Sequence, residues 1–152
     1  MSFRLIAVIA VLSSACASSP RPNPAQSAGV NATGALTARL AVDQFLRAVK
    51  AQDLQAMSVI FGTKNGAARD VMDRVELEKR EIILACYFMH DKYRILSEQS
   101  WEGGHRAVRV ELTKGQLTRQ PTFYTIQGPG QRWYVDNMEI AAVKDFCGRS
   151  GN

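Results

Sequence analysis

The stretches HRAVRVELTK, residues 105–114, and GQRWYVDNMEI, residues 130–140, decide the fold class. In the first, Val108, Val110 and Leu112 alternate with Arg109, Glu111 and Thr113; in the second, Trp133 and Val135 alternate with Tyr134 and Asp136. Such a period of two marks a strand with one buried face. Outward from these, Tyr93 to Trp101 alternates in the same way and Glu102-Gly103-Gly104 supplies a turn. Pro121 opens a further run, Thr122 to Gln127, which returns through Gly128-Pro129-Gly130. About four antiparallel strands are therefore expected.

Upstream the period lengthens. Leu36, Leu40, Val42, Phe45, Leu46 and Val49 recur at three- and four-residue steps, the stripe of an amphipathic helix with Thr37 as N-cap. Asp53 can cap a second, short helix with Leu54, Met57, Ile60 and Phe61 inward, stopped by Gly62. Thr63 to Gly66 reads as a loop with an Asn-Gly turn. A longer helix is expected from Ala67 or Asp70 to His90, burying Val71, Val75, Ile82, Ile83, Cys86 and Met89. Asp70–Arg74 and Glu76–Arg80 are acid-before-base pairs on its wet side. Helices followed by strands predict an α+β fold, N-terminal helices packed on a curved antiparallel sheet.

The chain has 152 residues, a net charge of +5, 46% hydrophobic and 22% charged residues. That is one domain with short appendages, and it excludes disordered, collagenous and coiled-coil classes. No apolar run reaches the roughly 18–20 residues of a spanning helix, which excludes a multi-span membrane protein. The basic residues are dispersed, with no block or aromatic-interleaved strand, so no nucleic-acid partner is expected; in a cell envelope the charge favours anionic lipid or glycan.

Residues 1–20, MSFRLIAVIAVLSSACASSP, place Arg4 before the apolar run Leu5 to Leu12, then small residues, then Cys16. A charged start, a short apolar stretch and a small-residue exit describe a signal peptide, residues 1–15. Small residues leading into a cysteine resemble a bacterial lipoprotein lipobox. That resemblance implies that Cys16 is acylated and becomes the first mature residue. The family pattern wants a Leu-type residue three places before the cysteine, where Ser13 stands, with Leu12 one place further out. Ala15-Cys16-Ala17 is also an A-x-A pattern, so cleavage after Ala17 and plain secretion to the periplasm or medium is the alternative. Acylation would give a membrane-lipid partner and a cell-envelope location. In a two-membrane envelope, Ala17 where Asp would mark inner-membrane retention resembles an outer-membrane lipoprotein.

Residues 16–34 hold three of the five prolines and almost no large apolar side chains, and read as a disordered tether to a single domain at 35–152. Asn31-Ala32-Thr33 fits a glycosylation triplet, which a bacterial-type signal makes a chance match.

VDQFLRAVKAQDLQAMSVIFG, followed by a longer helix and a meander ending in GQRWYVDNMEI, resembles the nuclear-transport-factor-2-like, or ketosteroid-isomerase-like, cone. The resemblance spans Leu36 to Val143 and rests on element order and on Phe45, Asp53, Phe61 and Trp133. It implies a curved sheet around helices with a cavity at the open end. Isomerases, dehydratases, carriers and bare scaffolds share that fold, so activity is not implied.

Apart from Cys16 the cysteines are Cys86 and Cys147. An even number in an exported chain suggests a disulfide, the alternative being two free thiols. Such a bridge would pin the tail around Lys144, Asp145 and Phe146, and would stabilise the fold by roughly 4 kcal/mol through loop closure. His90 and His105 are the only histidines and no metal-ligand spacing occurs, so neither metal nor cofactor is expected.

A cone enzyme needs an acid or base inside and a donor for an oxyanion. Candidates are His90, Asp91, Tyr124, Tyr134 and Asp136. His90 and Asp91 diverge as helix neighbours, so His90 is expected in the last turn near the helix dipole with Asp91 opening the next turn. Tyr87, His90, Tyr93, Tyr124 and Trp133, with the further aromatics Phe88, Trp101 and Phe123, could line a cavity for a small apolar ligand, although aromatics at these spacings also make ordinary core. The expectation is a non-catalytic envelope binding or scaffold module. A small isomerase- or dehydratase-type enzyme is the alternative, and a homodimer through an exposed sheet face is a third arrangement.

Overall fold

The computed structural model describes residues 32–148. The signal segment, Cys16 and the tether up to residue 31 lie outside the described residues. The fold is α+β, four helices packed with a mostly antiparallel five-stranded sheet.

α1, Ala38–Ala51, begins where Thr37 Oγ1 accepts from the Leu40 amide at 3.2 Å and ends at Gln52 in the left-handed region. Its stripe of Val42, Phe45, Leu46 and Val49 is fully buried; Leu36, ahead of the cap, is exposed. α2, Leu54–Ile60, is capped by Asp53 through the Ala56 amide at 2.9 Å. Gly62 is not its left-handed stop. It opens a hairpin, β1 (Gly62–Thr63) and β2 (Gly66–Ala67), and is glycine because a Cβ there would lie 2.4 Å from the Gly66 carbonyl oxygen and 3.0 Å from the Tyr134 ring.

The long third helix divides in two: α3, Ala68–Val71, and α4, Arg74–Phe88. Asp73 causes the break, because its carboxylate accepts the Val75 and Glu76 amides and starts a new helix. Asp70 and Arg74 thus fall on different helices and do not pair, whereas Glu76 and Arg80 do, at 2.9 Å.

The expected buried side of α4 is the wrong one. Leu77, Glu81, Leu84 and Phe88 face inward, while Val75 (59% exposed), Ile82 (54%), Ile83 and Cys86 face out, as does Val71 on α3. Met89 is half-buried. The inward stripe runs at four-three-four spacing but contains a glutamate, so counting apolar residues selects the opposite face.

β3 (Lys92–Ser100), β4 (Arg106–Lys114), β6 (Thr122–Gln127) and β7 (Trp133–Met138) form the sheet in that order. The extra strand, β5 (Leu117–Arg119), pairs with the end of β4. Pro121 separates β5 from β6, having no N–H for the ladder. Bulges interrupt the pairing of β3 with β4 between Ile95 and Ser97, and of β6 with β7 between Tyr124 and Thr125. The core lies between the sheet and α1, α2 and α4. There Phe123 meets Phe88 at 5.0 Å and Phe45 at 6.1 Å between ring centroids.

The domain begins slightly before position 35. Gly34 donates to the Val59 carbonyl, Ala35 bridges to Trp133, and Arg132 donates to the Thr33 and Gly34 carbonyls. At the other end Cys86 and Cys147 form a disulfide across 61 residues, with Cα atoms 5.1 Å apart. Cys86 sits on the exposed side of α4, so the tail docks on the helix's outer edge. The bridge is not the tail's only hold. Val143 and Phe146 are buried, Lys114 donates to the Phe146 carbonyl, and Arg119 pairs with Asp145, whose carboxyl it holds below the usual range.

Candidate functional site

The candidates around residue 90 resolve into structural roles. α4 ends at Phe88, so His90 lies just beyond it rather than in its last turn. Its Nδ1–H donates to the Phe88 carbonyl at 2.8 Å, capping the helix end, and its Nε2 is buried without a partner. Burial holds its pKa below the ordinary histidine value. Asp91 points elsewhere: its carboxylate accepts the Gly115 amide at 2.7 Å and its carbonyl accepts from Lys50. The two form no dyad.

The five expected cavity residues do not converge. Tyr87 and Trp133 are half-buried against the core. Tyr93 donates to Asp43 at 2.6 Å beside Arg47; burial, and then the Asp43 hydrogen bond, raise its pKa above the usual phenol value. The His90 ring packs edge-on against it, 5.2 Å between centroids. Tyr124 is on the opposite side of the sheet, because Phe123 beside it takes the core side. Phe45, Phe88 and Phe123 are fully buried and pack on one another between the helices and the sheet. Tyr134 is buried, its hydroxyl 3.0 Å from that of Thr33, in a berth where a Cβ on Gly34 or Gly128 would lie 2.8–2.9 Å from the ring. Its role is architectural.

Two other places gather chemistry. The first is an open cleft of about 690 Å³ on the sheet's outer face, lined by Trp101, Glu102, His105, Tyr124, Asp136 and Asn137. His105 Nε2 lies 2.8 Å from Asp136 Oδ2, and its Nδ1 lies 3.1 Å from the Glu102 carbonyl oxygen. Trp101 and Tyr124 stand 5.5 Å apart at 51°. Sequence reading singled out Asp136, Tyr124 and Trp101 but not their partner His105. The usable signal was strand pairing: β4 and β7 are each neighbours of β6, so His105, just ahead of β4, and Asp136 can meet across it.

The second is a cleft of about 420 Å³ between α2 and α4, lined by Ser58, Arg69, Arg74, Leu77, Glu78 and Glu81. Glu81 is 3% exposed, and its Oε1 is buried without a partner. Burial first, and the neighbouring Glu78 second, push its pKa up to about 7. A carboxyl titrating there can hold or release a proton near neutral pH. Its position on the core-facing stripe hid it from apolar periodicity.

Among the described residues no cluster of three or more His, Cys, Asp or Glu side chains has the arrangement of a metal site, and no helix is long and apolar enough to cross a membrane. No protein-family model matches the chain, and no curated protein matches it.

Proposed function

We propose that the chain is an exported lipoprotein, held on a membrane through acylated Cys16, whose folded body is a non-catalytic binding or scaffold module of the cell envelope. The observation that carries this reading is the Cys86–Cys147 disulfide. Such bonds persist in oxidising compartments outside the cytosol, which agrees with a leader ending in a lipobox-like cysteine. Several acyl chains, each buried CH₂ contributing about 0.8 kcal/mol, would anchor a small domain without a spanning helix. An α+β body agrees with the nuclear-transport-factor-2-like resemblance, and the dispersal of Tyr87, Tyr124 and Trp133 away from a common pocket favours a scaffold over a cavity enzyme.

A second reading, an isomerase- or dehydratase-type enzyme, is favoured by Glu81 alone, a carboxyl poised near neutrality in a cleft. The distinguishing experiment for the first reading is intact-mass analysis of the membrane fraction. The expected species begins at Cys16, carries acyl chains and lacks the two thiol hydrogens of the bridge. Cys16→Ser should leave the membrane while keeping its fold. A mature chain beginning at Ser18 without lipid would replace anchoring by plain secretion, and an unprocessed chain in the cytosol would overturn export altogether.

A further inference from the structure

The cleft on the sheet's outer face has a construction that its neighbours explain. Core-facing Val108 and Phe123 point toward the helices, so the alternating positions Ala107 and Tyr124 turn outward. The register aligns Gln99, Ala107, Tyr124 and Asn137 in one row across β3, β4, β6 and β7. Ala107, 4% exposed, is the low point of that row. Trp101, at the end of β3, is held by its amide donating to the His105 carbonyl at 2.9 Å, and its 46%-exposed ring leans on Tyr124. A large indole so exposed, yet backed by a second ring, presents a flat apolar face to solvent.

The polar groups beside it are also fixed. His105 Nε2, 2.8 Å from Asp136 Oδ2, holds that carboxylate oxygen in place, and Oδ1 has no hydrogen-bond partner among the described residues. Asn137 spends its Oδ1 on the Met138 amide, which turns its NH₂ group outward as a donor. The site thus offers a flat aromatic face, a rigid carboxylate acceptor and carboxamide donors.

We infer that this face is a carbohydrate-binding platform that takes neutral hydroxylated sugars, a step that rests on the reading of the body as a binding module. A pyranose ring carries both matching features: an apolar C–H face that packs on an aromatic ring, and hydroxyls that donate to carboxylate and accept from amide. Electrostatics exclude the anionic classes. Glu102 and Asp136 border the cleft and no Lys or Arg lines it, so a phosphate or uronate would meet like charge there despite the chain's net +5. An uninterrupted polyproline segment would use the two rings but, having no backbone N–H, offers no donor to Asp136 Oδ1.

The test titrates the full-length Cys16→Ser chain with an N-acetylglucosamine tetramer and a glucose tetramer, read by calorimetry and tryptophan fluorescence. Saturable binding to at least one is expected, and it should change little up to about 0.5 M salt because the ligand is neutral. Trp101→Ala should weaken it about tenfold or more. Trp101→Phe should retain part of the affinity, and Asp136→Asn should weaken it severalfold. Circular dichroism confirms that each variant is folded, and a variant that fails to fold hands the decision to Trp101→Phe. Failure of both sugars to bind, wild-type affinity in Trp101→Ala, or saturable binding of a decaproline probe in place of sugar each overturns the inference. None of these outcomes bears on membrane retention, which is read from Cys16 separately.

Discussion

α1 and α4 are near in length, 14 and 15 residues, and both pack on the core, yet they carry apolar residues differently. In α1 one stripe holds Val42, Phe45, Leu46 and Val49 and all four are buried; the other side is polar. In α4 two faces are apolar. One buries Leu77, Leu84 and Phe88 around Glu81, and the other leaves Val75, Ile82 and Ile83 in solvent. Periodicity specifies orientation only when one face alone is apolar. Where both are, tertiary partners choose, and here they chose the face that reaches Phe123.

The largest effect should come from the shared aromatic junction. Phe45→Ala and Phe88→Ala each remove a ring packed on Phe123 and should each cost about 3–5 kcal/mol in denaturant unfolding. Equal costs would show that α4 is anchored through Phe88 as firmly as α1 through Phe45. A Phe88→Ala loss under about 1 kcal/mol would mean that α4 packs through its other face.

The same contrast explains what the sequence revealed. Elements with an unambiguous pattern were legible: the Thr37 and Asp53 caps, the α1 stripe, β6 to the residue, and β4 within one residue. So was the pairing of Cys86 with Cys147, because counting cysteines needs no orientation. Asp73 was missed as a cap because the apolar run seemed to continue through it. β5 was missed because three residues show too little alternation. The site was only partly legible. Asp136, Tyr124 and Trp101 drew notice as residue types, but a pairing register, not a pattern, brings them together with His105. His90 and Asp91 drew notice as sequence neighbours, and backbone groups separate them.

The next effect concerns the one polar member of the buried stripe. The folded state raises the Glu81 pKa from 4.5 to about 7. Between those values the native state keeps a proton that the unfolded chain has released. The stability of the wild type should therefore be highest below about pH 4.5 with respect to this group, fall as pH rises to about 7, and level off above. Complete desolvation would make the loss roughly 3 kcal/mol; because the carboxyl borders a cleft that water enters, about 1–2 kcal/mol is expected. Glu81→Gln keeps the shape and removes the titration, so it should gain that amount over wild type at pH 8 and nothing near pH 4.5. Parallel stability profiles for the two chains would show that Glu81 ionises as freely as a surface carboxylate. α4 would then have no costly residue on its inner stripe.

The smallest effect should come from the outer face. Ile82 is 54% exposed, so in the isolated chain Ile82→Gln gives up little burial and replaces a β-branched residue by a slightly better helix former. The expected change in unfolding free energy is within about 0.5 kcal/mol, independent of protein concentration. The measurement is informative because Val75 and Ile83 share that exposure, and a face covered by a second copy would behave differently. Burial in a dimer would raise the cost of Ile82→Gln above about 1 kcal/mol and make the midpoint depend on concentration. A near-zero, concentration-independent result therefore assigns α4's packing energy to the Leu77–Glu81–Leu84–Phe88 stripe alone.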